Sequence, residues 1–335
     1  MDAKITKQRL GRMLSYDWIK IALFAAVAII VWSLVFTMTA TRITPAQQFS
    51  VFNYAGNTVG TKFHDSYENA FRDGVFSHEV LEVNCNDLST SNEYLNTVLE
   101  ARLTTDEGDV IFLADADNPD TEYEENGEKK YDSYLYSFVS HWGYYLMDLD
   151  PQSEKGYFRQ MEMYLARYYT DGYKNPESLD TARVEADFRA RIKQNKDKRY
   201  KNEQQIQKGV QGDIERIQKY RDALDKFLNV YVAKGYVSFT KTEVPNGEKE
   251  GEMLFSGIYS INLCPNVETM GGLKDIVSYR ETYVDEADGL EKIRVTAENM
   301  NIALFDLKGV EAGFEYESLL YVNYVIESVC TELKA

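Results

Sequence analysis

The chain has 335 residues, with 54 acidic against 37 basic side chains and a formal net charge of −17. That balance argues against broad nucleic-acid binding, which needs a basic face for the phosphates. Aromatic residues make up 13 % of the chain, including 25 Tyr, and so many rings in periodic segments imply a packed core rather than disorder.

Residues 21–40 read IALFAAVAIIVWSLVFTMTA, with no charge and only Ser33, Thr37 and Thr39 as polar side chains. As a helix this run reaches about 30 Å, the thickness of a bilayer's hydrocarbon core. A buried helix of a soluble protein would keep a polar face, and the run has none. Lys4, Lys7, Arg9 and Arg12 precede it and Lys20 sits at its edge, whereas residues 41–70 hold only Arg42 and Lys62. Positive-inside asymmetry predicts a cytoplasmic N-terminus (1–17), a transmembrane signal-anchor helix (18–40) and an extracytoplasmic body. A cleaved signal, with a cut after Ala46, is the alternative, although its apolar region would be shorter. The first cysteine after the run is Cys85, so a lipid-modified N-terminus is not expected. Of the three cysteines, one pair among Cys85, Cys264 and Cys330 could bridge outside the cell. Three buried thiols is the other reading, because Cys85 and Cys264 fall in or beside apolar strand patterns.

In chain order, 49–54 reads as a strand closed by Ala55-Gly56-Asn57, 64–72 as a helix, and 79–83 as a second strand. A helix capped by Ser91 runs to Arg102, with Tyr94, Leu95, Val98, Leu99 and Leu103 on one face. Residues 109–114 (DVIFLA) form a continuous apolar strand of the kind buried on both faces. This strand–helix–strand–helix–strand order predicts a parallel sheet covered by helices. An acidic loop follows at 115–130, then an aromatic, partly helical stretch at 131–149 and a helix at 157–169. In 181–234 the fourfold spacing of Val184, Phe188 and Ile192, and of Ile206, Val210 and Ile214, predicts a helical hairpin broken near 195–202 or at Gly212. Strand patterns return at 237–242, 253–263, 293–296 and 301–307, with a turn at 269–272 and a closing helix at 315–333.

Catalytic signatures are scarce. There is no HExxH, GxSxG, Walker A or CxxC, and the three histidines, His64, His78 and His141, share no local motif. The chain is therefore not expected to be an enzyme. Residues 115–126 superficially resemble a calcium loop, but Asp120 stands where the sixth-position glycine belongs and Asn126 where the twelfth-position acid belongs. Neither a metal nor a cofactor is expected. Asp115 and Asp117 follow a buried strand, where α/β sheets place ligands, and are expected to hydrogen-bond a solute. Tyr54 and Asn57 follow the first strand in the same way. Trp142 and Tyr145, flanking Gly143 in the densest aromatic block, are expected to supply rings for stacking. The basic stretch Arg189 to Lys208 reverses the sign of the chain locally, and Lys193, Lys196, Lys198, Arg199 and Lys201 are expected to touch an anionic surface or an acidic partner.

Three stretches resemble extracellular solute-binding proteins of bacterial ABC importers, of the sugar-binding kind. They are 93–114 (EYLNTVLEARLTTDEGDVIFLA), 259–279 (YSINLCPNVETMGGLKDIVSY) and 297–329. The resemblance implies a two-lobed, periplasmic-binding-protein-like α/β body that holds a solute, such as a sugar, between lobes without chemistry, and a membrane permease as partner. Mapped on this chain, it predicts a first α/β lobe from 45–118 and 253–335, and a second, mostly helical lobe from 119–252 carrying the 181–234 hairpin. The rival expectation is a structural or interaction protein of the cell envelope that uses the hairpin as its contact surface.

Overall fold

Alternation of apolar side chains builds the centre of the molecule from strands that are covered on both faces. The computed structural model describes residues 7–39, 43–89, 94–125, 127–247, 249, 251–285, 289–309 and 313–334. Ser91 and Asn126, singled out above, lie outside these residues. The N-terminal helix α1 (Lys7–Thr39) holds a span, Trp18–Phe36, long and apolar enough to cross a membrane, and every side chain along it is exposed. Its length and composition suit a membrane anchor or a signal sequence. The body, 43–335, is a separate compact unit.

The body begins with β1 (Gln48–Asn53), the short β2 (Asn57–Val59), α2 (Phe63–Arg72), β3 (Glu82–Asp87), α3 (Leu95–Leu103) and β4 (Val110–Ala114). β1 pairs in parallel with both β3 and β4, as the strand–helix alternation predicts. A hairpin of β5 (Tyr123–Glu125) and β6 (Glu128–Lys130) interrupts the acidic stretch expected to be a loop. Then come α4 (Tyr134–Trp142), α5 (Tyr157–Ala166), α6 (Thr181–Asn195) and α7 (Glu203–Lys226), which runs on as a π-type turn, Phe227–Val232. β7 (Ser238–Pro245) and β8 (Met253–Asn262) follow. The expected turn at 269–272 is instead the short α8 (Val267–Met270) running into a 3-10 turn. β9 (Val277–Val284), β10 (Glu291–Thr296), β11 (Met300–Leu304) and α9 (Glu317–Val329) complete the chain. The main sheet has the order β3-β1-β4-β11-β8-β7, and a smaller one the order β10-β9-β2.

Strand alternation assigns the helices to faces. Phe49 and Val51 of β1 and Val110, Phe112 and Ala114 of β4 share a core with Phe63, Tyr67 and Ala70 of α2 and with α5, α7 and α9. Phe52, Tyr54, Ile111 and Leu113 point the other way, into a second core with Leu95, Leu99 and Leu103 of α3 and Leu135, Phe138 and Val139 of α4. So α2 and α3 cover opposite faces, and the chain changes side on passing from β3 over β1 to β4.

The helical hairpin appears where its periodicity places it, reversing after Lys196, whose φ of 50° ends α6. It does not found a second lobe. Ile217, Tyr220 and Leu224 of α7 are buried in the same core as α9 and β1, and β7 (assigned above to the second lobe) is hydrogen-bonded to β8 (assigned to the first). The boundaries at 118/119 and 252/253 therefore fall inside one compact unit. The apolar stripe of α7 found its partner in the sheet's own helical layer. All three cysteines are free thiols, Cys264 and Cys330 buried and Cys85 half-buried.

Candidate functional site: a crevice at the ends of β1 and β4

In an open α/β sheet, a chain reversal of the kind seen between β3 and β4 parts the loops that follow the two neighbouring strands, and ligands bind outside those carboxyl ends. Here the strands are β1 and β4. Two adjoining cavities open there, of about 320 Å³ and about 720 Å³, sharing Gly56 and Tyr134 as common wall. The smaller is lined in part by Tyr54, Asn57, Asn118 and Asp120, the larger by Asp115, Asp117, Tyr131, Arg280 and Glu291. Tyr54, Asn57, Asp115 and Asp117, named from sequence alone, thus meet at one crevice.

Each is held by local chemistry. The Asn57 side chain is 5 % exposed, and its Nδ2 donates to the Phe112 carbonyl of β4 at 2.9 Å. This bond ties the loop after β1 to the neighbouring strand and leaves the buried Oδ1 without a partner. Tyr54 packs edge-on against Phe138 at 4.9 Å, and burial, with Tyr134 adding to it, pushes its hydroxyl up to about 12. Its phenol stays protonated at neutral pH. Gly56 has φ +79°, and a Cβ built on it would lie 2.4 Å from the Tyr134 ring. The position needs glycine twice over, for the left-handed backbone and for the ring that lies on it. Ser133 caps α4 by accepting from the Tyr136 amide at 3.1 Å, and so sets the start of the helix that carries Tyr134. Asp115 and Asp117 are exposed, and among the described residues their carboxylates have no hydrogen-bond or ion-pair partner.

Trp142 and Tyr145 go elsewhere. α4 starts beside the carboxyl end of β4 and carries its last turn away from it. The Tyr145 carbonyl accepts from Asp306, the neighbour of Phe305, whose own amide reaches Asp109 at the start of β4. The two rings pack on each other at 6.1 Å on the α3–α4 side of the sheet, far from Asp115 along the strand, and line neither cavity. Tyr131 and Tyr134, from the same aromatic block, take the place expected for them.

The basic hairpin divides. Lys193, Lys196, Lys198 and Lys201 are exposed. Arg199 turns inward, giving Nη2 to Glu79 Oε2 at 2.6 Å and to Asp197 Oδ2 at 2.6 Å, so it is a structural side chain and not a surface contact. It joins a buried ion network in which Arg191 bridges Glu79 (2.9 Å) and Asp213 (2.8 Å), and Arg216 lies 3.2 Å from Asp213. Glu79, expected on a strand, instead precedes β3 and serves this network. Burial alone would raise its carboxyl, but Arg191, His78 and Arg199 outweigh it and hold it below the usual range. His78 lies 3.5 Å from Glu79 and 3.8 Å from Asp213, yet burial dominates and holds its imidazole below its ordinary value. His78, Glu79 and Asp213 offer ligand atoms within 4.8 Å of one another, as a metal would require. Both carboxylates already carry guanidinium partners, however, and a divalent cation would have to displace Arg191.

No family model matches the chain, and no curated protein or solved structure matches it.

Proposed function

We propose that this protein is a membrane-anchored, extracytoplasmic binding protein that takes a small polar solute into the β1–β4 crevice and performs no chemistry on it. One observation carries the reading. α2 and α3 cover opposite faces of the sheet, and the crevice opened by that reversal collects Tyr54, Asn57, Asp115 and Asp117 with an aromatic wall. Depth, rings and a few polar groups are what solute sites are made of. The apolar Trp18–Phe36 span and the lysines and arginines before it support a cytoplasmic N-terminus with the body outside. The family resemblance supports capture of a solute for a membrane permease or a sensor.

The test is thermal-shift screening of the full chain in lipid nanodiscs against sugars, peptides, amino acids and amines. A solute that raises the melting temperature of the wild type and fails on Tyr134→Ala with Asp117→Ala supports the crevice. If no class shifts the melting temperature, the reading falls.

The exposed lysines at the hairpin tip favour a second reading, contact with an anionic envelope surface. The hairpin cannot be deleted to test it, because Ile217, Tyr220 and Leu224 are core. Lys193→Gln, Lys196→Gln and Lys201→Gln together should release the body from anionic vesicles, and unchanged binding removes this reading.

A further inference from the structure

The crevice also carries information about the class of solute. This inference rests on the solute-binding reading. Asp115, Asp117, Glu281 and Glu291 line the larger cavity against Arg280, and Asp120 lines the smaller. Glu281 is taken by Arg294 at 2.7 Å, from outside the cavity. Asp115, Asp117, Asp120 and Glu291 have no ion-pair partner among the described residues, so the crevice holds an excess of negative charge on both sides of the Gly56–Tyr134 wall. Acidic side chains at a surface often mean nothing more than solvation. Asn57 is a separate observation that points to a ligand. It is 5 % exposed and lines the smaller cavity, and because its Nδ2 is committed to Phe112, only the acceptor Oδ1 is left, without a donor. A buried acceptor without a donor is costly, and a ligand N–H would satisfy it.

The arrangement distinguishes an organic cation from a metal ion. A metal needs several oxygens converging on one point. Among the described residues, only His78, Glu79 and Asp213 converge in that way, and they lie in the network beneath the hairpin. The crevice carboxylates are instead spread along two cavities, with Tyr54 in the smaller, Tyr131 in the larger and Tyr134 in the wall they share. Tyrosine faces attract ammonium groups and cover the methylenes that separate them. We propose that the crevice binds an extended organic amine with more than one ammonium group, of the di- or polyamine class. One charge would sit by Asp115 and Asp117, another by Asp120, and an N–H would reach Asn57 Oδ1.

Isothermal titration of the full chain in nanodiscs of zwitterionic lipid, with spermidine, maltose and magnesium chloride as probes, tests this. Spermidine should bind, at least tenfold more weakly to Asp115→Asn with Asp117→Asn. Its affinity should also fall as salt rises to about 0.5 M, where exposed charge pairs are screened. Both aspartates are exposed, so the variant should keep the wild-type melting temperature, and Lys193→Gln should bind as wild type. Spermidine heats that ignore the double substitution would overturn the proposal. Magnesium binding that the same substitutions abolish would replace the amine by a metal. Maltose binding lost in Tyr134→Ala, with no spermidine binding, sinks the amine but keeps the crevice. If none of the three probes binds, and the thermal-shift screen finds no solute either, both readings fail together.

Discussion

Two charged regions of this protein differ in how their charges are used. Beneath the helical hairpin, Glu79 and Asp213 are buried and answered by Arg191, Arg199 and Arg216. At the β1–β4 crevice, Asp115, Asp117 and Asp120 are exposed and have no ion-pair partner among the described residues. The first arrangement pairs its carboxylates within the chain and fixes how α6, α7 and the segment before β3 sit together, while His78 Nδ1 and Nε2 and Arg191 Nη1 have no hydrogen-bond partner among the described residues. The second leaves its charges for something outside the chain. Charge count alone would not separate them, since the hairpin has the most basic sequence and the crevice loop one of the most acidic. Burial and pairing separate them.

The sharpest way to break the contrast is to unpair the buried network. Glu79→Ala takes one of two carboxylate partners from Arg191 and from Arg199, which keep Asp213 and Asp197, and should cost about 2–3 kcal/mol, the scale for lost hydrogen bonds to charged groups. Urea denaturation of the body reads it, and a loss below about 1 kcal/mol would mean that water reaches the network freely.

Gly56→Ala should come next. An alanine there meets both a left-handed backbone and the Tyr134 ring. The expected loss is about 1–2 kcal/mol, with weakened solute binding as the crevice wall shifts. Binding that survives unchanged would place the ligand away from that wall.

Titration separates half-buried His78 from buried Glu315, and their signs are opposite. His78 is held below its ordinary value by burial, so its contribution to stability is present above the unfolded value near 6.5 and is lost as pH falls through the lower folded value. Glu315 is 1 % exposed, and burial together with the Asp109 carboxylate raises it to about 8. Its contribution is fully present below the unfolded value near 4.5 and is lost as pH rises through about 8. Glu315→Gln should therefore flatten the decline in denaturation midpoint between these two pH values, and His78→Gln the decline on acidification below about 6.5. Variants that keep the wild-type slopes would show that these groups titrate alike in the folded and unfolded chains.

The smallest effect belongs to the surface. Lys193→Gln, Lys196→Gln and Lys201→Gln should each change stability by no more than about 0.5 kcal/mol. A larger change would mean that these lysines take part in the fold, as Arg199 does.

Much of the fold was legible because it is written locally. DVIFLA could be buried on both faces as a strand, and the fourfold spacing of Val184 and Phe188 has no strand reading. β9 was missed because VSYRETYV interleaves Arg280 and Glu281 with its apolar residues, half of them exposed in a small sheet. The β5–β6 hairpin was missed because its strand residues are all exposed and Tyr123 is the one ring among their charged side chains. The packing of α7 against the main sheet's core was not legible, because which surface its apolar stripe covers is a tertiary fact. At the site, residues immediately after strands could be named, since a strand's carboxyl end fixes where they go. Trp142 could not be placed without the direction of α4. The meeting of Gly56 with Tyr134 and the approach of Arg280 are contacts between distant segments, and no local pattern signals either.

The position of β11 sets an order of assembly. It pairs with β4 on one side and β8 on the other, and so closes the middle of the sheet with residues 300–304. Until those residues leave the ribosome, β4 has an open, wholly apolar edge and the Lys308–Asp109 clasp cannot form. The first half of the body therefore waits for the last. A chain interrupted before residue 300 exposes the strand most prone to pair with its neighbours, so the body must be finished before any of it is safe from aggregation.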